Sequence, residues 1–92
     1  MLFPSDEYRI KLIDKLLFAS SQEDVKGIIN TVTKALEHNR VSDDIVSRFI
    51  ETVIKDLELF SPMKKEAQQW SHIKLAKILF KRIRGQLNVP AT

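Results

Sequence analysis

The chain has no cysteine, only two glycines, three prolines and one tryptophan among its 92 residues. Without cysteine there is no disulfide framework, no thiolate metal site and no cysteine nucleophile. So few glycines and prolines argue against an all-β fold, which needs many tight turns. No window of about 20 apolar residues is present, so nothing in the sequence reads as a transmembrane segment. The opening Met1-Leu2-Phe3-Pro4 lacks the basic region and the apolar run of a signal peptide. A cytoplasmic protein is therefore the expectation. One further absence is regional: no Asp or Glu follows Glu66.

What is present is a foldable composition. The chain is 43% hydrophobic and 29% charged, too apolar for a disordered segment. At this length a single domain is expected, residues 1–92. The charge is unevenly spread. Residues 1–66 hold ten Lys or Arg against twelve Asp or Glu, net −2. The rest carries Lys74, Lys77, Lys81, Arg82 and Arg84 and no acid, so the overall +3 joins an acidic body to a basic end.

The punctuation is helical. Ser5 followed by Asp6 and Glu7 offers an N-cap hydroxyl and two first-turn acids, which favour the positive end of a helix dipole. Tyr8, Leu12, Ile13, Leu16 and Leu17 then predict a helix over 5–19. Ser20-Ser21-Gln22-Glu23 has the spacing of a capping box. Val25, Ile28, Ile29, Val32 and Leu36 predict a second helix over 21–38, with Gly27 inside it either as a place for a close helix crossing or as a residue simply tolerated near the first turn. Ser42-Asp43-Asp44 repeats the cap and acids, and the stripe Ile45, Phe49, Val53 and Leu57 predicts a third helix over 42–59. Ser61-Pro62 reads as a cap and a first helical residue. It predicts a fourth helix over 62–84, with Gly85 as its C-terminal cap. Short connections favour antiparallel neighbours, so the expected fold is an all-α, up-down bundle of four helices.

Function is faintly written. Lys74, Lys77, Lys81 and Arg84 fall within about 80° of a helical wheel and form a basic face, joined by Arg82. Trp70, Phe80, Ile83 and Leu87 form the candidate apolar contact for a partner, since a helix of about 34 Å would overhang its shorter neighbours. Trp70 and Ile83 on a basic helix also have the spacing of anchors taken up by calmodulin-like grooves. His38 and His72 are the side chains that titrate near neutrality, and no paired motif makes either a metal ligand. No phosphate loop or nucleophile elbow is present, so no enzyme and no cofactor are expected.

Val41-Ser42-Asp43-Asp44-Ile45-Val46-Ser47-Arg48 is similar to the start of the recognition helix in lactose-repressor-type helix-turn-helix proteins. The likeness covers eight residues. It departs where that family has a turn glycine and this chain has Arg40, and Asp43 and Asp44 place negative charge where DNA phosphates would lie. The leading expectation is instead a small interaction or scaffolding module, homodimeric through helices 1, 3 and 4 or bound to another protein. The alternative is a nucleic-acid binder using the basic face of the last helix. Attachment of that helix to anionic lipid is a third reading.

Overall fold

Three serines start three helices. In this computed structural model, which describes residues 5–60 and 66–87, α1 runs Asp6–Leu17, α2 Gln22–His38, α3 Asp43–Glu58 and α4 Ala67–Gln86. Ser5, Ser21 and Ser42 precede the first three in extended conformation, and each hydroxyl accepts a hydrogen bond from the third residue of its helix. Two acids occupy each first turn. In α2 the cap is one residue later than the capping-box spacing predicts. Ser21 receives the Asp24 N–H, and the Asp24 carboxylate accepts from the Ser20 backbone N–H at 2.9 Å.

The fourth helix is built differently. Its expected start at Ser61-Pro62 lies outside the described residues. Glu66 is extended, with φ −63° and ψ 156°, and makes no side-chain cap bond, and α4 follows it from Ala67. Its first turn has no acid. At its other end Gly85 does not cap. The helix passes through it to Gln86 and stops at an extended Leu87. Twenty residues at 1.5 Å rise span about 30 Å, within the molecule's longest extent of 36 Å. The residues expected to overhang are covered: Phe80 is buried, and Ile83 and Leu87 are half-buried beside residues of α2 and α3.

A left-handed residue instead closes α2. Arg40 has φ 54°, its N–H donates to Glu37 O, and Val41 N–H donates to Leu36 O. This is the Schellman arrangement, usually made by glycine at that position. An L side chain there costs about 1 kcal/mol. The turn folds half-buried Val41 back over buried Leu36, beside Val46 of α3.

Cross-helix contacts set the directions. Gln22 Nε2 donates to Ser71 Oγ and Gln68 Nε2 to Ser20 O, so the N-terminal ends of α2 and α4 meet and these helices run parallel. Arg9 Nε lies 2.7 Å from Asp56 Oδ2, the Tyr8 and Phe49 rings are 6.0 Å apart, and Ser5 and Asp6 share a crevice with Ile45 and Arg48, so the starts of α1 and α3 lie together and the two run parallel. The Arg9 Nε–H is not aimed at that oxygen, so the contact is Coulombic. The chain is therefore an all-α bundle whose helices alternate up and down. The neighbour relations are less simple. Consecutive α2 and α3 barely touch, because α4 lies between them and packs on all three other helices. Phe80 sits in that wedge among Val32, Leu36, Val46 and Ile50. The core continues through Leu16, Val25, Val53, Leu57 and Ile73, all fully buried or nearly so.

Most of the broad apolar faces of α1 and α3 is covered within one chain, while Ile10 and Ile45 remain exposed. Each packs against two other helices, α1 also against a third. Gly27 serves no close crossing, since a Cβ built there would meet nothing within 4 Å.

Candidate functional site

α4 has two faces of different chemistry. His72, Ile73, Ala76 and Phe80 turn inward and are buried. Advancing 100° per residue, Trp70, Lys74, Lys77, Lys81 and Arg84 share another strip about 80° wide. Their intervals are four, three, four and three residues, the spacing of a heptad seam. Lys74 and Lys81 are exposed, while Trp70, Lys77 and Arg84 are half-buried. Lys77 Nζ lies 5.9 Å from the centroid of the Trp70 ring, within cation–π range. Ile78, exposed, and Arg82 stand farther round the helix.

Among the described residues, no carboxylate lies within 4 Å of the seam's charges. Elsewhere Arg9, Lys11, Lys26 and Arg48 each meet a carboxylate on their own helix, at 2.8, 3.5, 3.4 and 3.2 Å. Among the described residues no ion pair involves a cation of α4. The arrangement on α3 is the informative contrast. Asp44, Arg48, Glu51, Lys55 and Glu58 are all exposed and repeat at the same four-three-four-three spacing. Their signs alternate, and Arg48 reaches Asp44. Helix α1 covers the opposite flank of α3 through Phe49 and Asp56. Lys26, Ile29 and Asn30 of α2 line a crevice with Leu79 and Ile83 on the other flank of α4. The two seams therefore border the same side of the α3–α4 pair.

The four residues expected to meet a partner do not form one free face. Phe80 is 1% exposed and belongs to the core of its own chain. Ile83 and Leu87 are half-buried where the ends of α2, α3 and α4 converge on a crevice of about 70 Å³. Trp70 alone of the four stands on the basic strip. Residues 70 and 77 are two turns apart, and that relation could have been read from the wheel. His72 is 2% exposed, and its Nδ1 has no hydrogen-bond partner among the described residues. His38 is exposed in the last turn of α2, where a cation is favoured.

Other features carry less chemistry. Phe18 and Leu59 are 71% and 83% exposed at the C-terminal ends of α1 and α3, which lie at one end of the bundle. No group of three His, Asp or Glu among the described residues is placed to hold a metal ion. No described helix is long and apolar enough to cross a membrane. In the stretch similar to a recognition helix, Val46 and Ser47 are buried and Asp44 pairs with Arg48. The surface that would approach bases is thus partly core and partly neutralised. No family model matches the chain, and no curated protein or solved structure matches it.

Proposed function

We propose that the protein is a small helical interaction module whose working surface is the outer flank of α4. The reading rests on one observation: none of the cations of that flank has an acid partner among the described residues, while four of the eight described cations of the body are paired on their own helices. A bundle needs no such seam for folding, because α4 is held by its inward face. Like charges in a row repel one another, and the repulsion is relieved when an acidic surface is docked. Self-association through the apolar side of α4 is not carried forward, since it would require Phe80 to leave the core.

Trp70 is the chain's one tryptophan and stands on this flank, so its fluorescence reports on occupancy. Titration with poly-glutamate at about 50 mM salt should shift its emission, and added salt should reverse the shift. The double reversal Lys77→Glu and Lys81→Glu should abolish it. No response to any polyanion would overturn the proposal. Nucleic acid is the second reading, favoured by the unbroken sign of the seam. It requires a stronger response to DNA or RNA than to poly-glutamate, with a log–log salt slope of about −0.9 per phosphate contacted on a duplex.

A further inference from the structure

The seam offers a partner one sign of charge at the three- and four-residue intervals of a helix face. Resting on the reading that this flank binds acidic partners, we propose that its occupant is an acidic helix of another protein, lying lengthwise along α4 with carboxylates at heptad spacing. Trp70 to Arg84 covers fourteen steps, about 21 Å of helix. The rises between successive members alternate between about 6.0 and 4.5 Å. A second helix with acids at the same intervals reproduces those rises and sets one carboxylate against each of Lys74, Lys77, Lys81 and Arg84. Its apolar residues meet the Trp70 ring at one end, the anchor that such contacts use.

Two observations favour a helix over the other polyanions. Phosphates of a nucleic-acid strand repeat at about 3.4 Å along the duplex axis and do not keep step with the seam. The α3 seam also limits width. A helix is about 10 Å across and can lie on α4 alone, whereas a duplex would overlap α3 and press phosphates against Asp44, Glu51 and Glu58. A second copy of this chain is a poor occupant. Its only described seam of matching spacing with several acids, that of α3, offers acids at three of five positions and places Arg48 and Lys55 against the cations.

The test uses the full chain and two synthetic peptides of about 21 residues with identical composition. One carries Glu at every a and d position of three heptads, and the other distributes the same glutamates around the helix. Fluorescence of Trp70 is read at about 50 mM salt, and both peptides are free of tryptophan. The in-register peptide should bind at least tenfold more tightly than its isomer. Lys77→Glu with Lys81→Glu should remove that preference without changing the protein's circular dichroism. Equal binding of the two peptides would overturn the proposed helix while leaving an acid-binding flank in place. A single-stranded RNA of equal charge binding more tightly than the in-register peptide would overturn it in favour of nucleic acid. No response to either peptide or to poly-glutamate would remove the underlying interaction reading as well.

Discussion

Helices α3 and α4 carry outward seams of the same spacing and opposite habit. On α3 the signs alternate from Asp44 to Glu58, so neighbours one turn apart attract and Arg48 closes on Asp44 at 3.2 Å. On α4 every charge is positive. The local coding differs in the same sense. Ser42 caps α3 and two acids follow it, while α4 has neither a side-chain cap bond nor a first-turn acid. α3 is favoured by its own sequence as well as by packing. α4 is held by packing, since it touches all three other helices. The difference teaches which side of α4 is structural: removing inner contacts should unfold it, and altering the outer seam should not.

The sharpest break is Phe80→Ala. It empties the wedge between α2 and α3 and should cost about 3–5 kcal/mol by chemical denaturation. A loss under about 1 kcal/mol would mean that α4 is not seated as described. Next comes capping. Ser21→Ala and Ser42→Ala should each cost about 1 kcal/mol. Glu66→Ala should change melting little, because no cap bond is lost; equal effects at all three positions would erase the contrast in local coding.

Two substitutions should gain stability by about 1 kcal/mol each. Arg40→Gly relieves the left-handed backbone at the end of α2. His72→Leu removes a buried nitrogen with no partner, and an apolar group of similar size leaves nothing unsatisfied. A large loss for His72→Leu would show that the imidazole makes a necessary bond through its other nitrogen. The smallest effect is alkaline. Burial raises the Tyr8 phenol above its ordinary value of 10.0. The folded state therefore disfavours the phenolate. Stability from this group is present below pH 10 and falls as pH rises through the raised value. Tyr8→Phe should flatten that part of the alkaline loss relative to wild type.

Much of this fold was legible because serine caps and acids mark helix starts in plain sequence. The bounds of α1, α2 and α3 differ from expectation by two residues or fewer. Expectation failed where the determinant is not local. Gly85 has the chemistry of a cap, yet Arg40 adopts the left-handed turn. Short links predicted that α2 and α3 would be neighbours, and α4 lies between them instead, with Phe80 among residues of both. At the candidate site, periodicity groups Lys74, Lys77, Lys81 and Arg84 on one strip but does not separate Trp70 from Phe80. Both are aromatic on one helix, ten residues apart, and their positions differ by about 80° on the wheel. That angle puts one against Lys77 and the other in the core.

The claim that α4 folds by one face and binds by another is tested most directly by residue-resolved amide shifts during titration with the in-register acidic peptide. The account predicts changes centred on Trp70, Lys74, Lys77, Lys81 and Arg84, with the signals of Ile73 and Phe80 keeping their folded dispersion. Changes centred on Phe18 and Leu59, with the α4 seam unmoved, would contradict it.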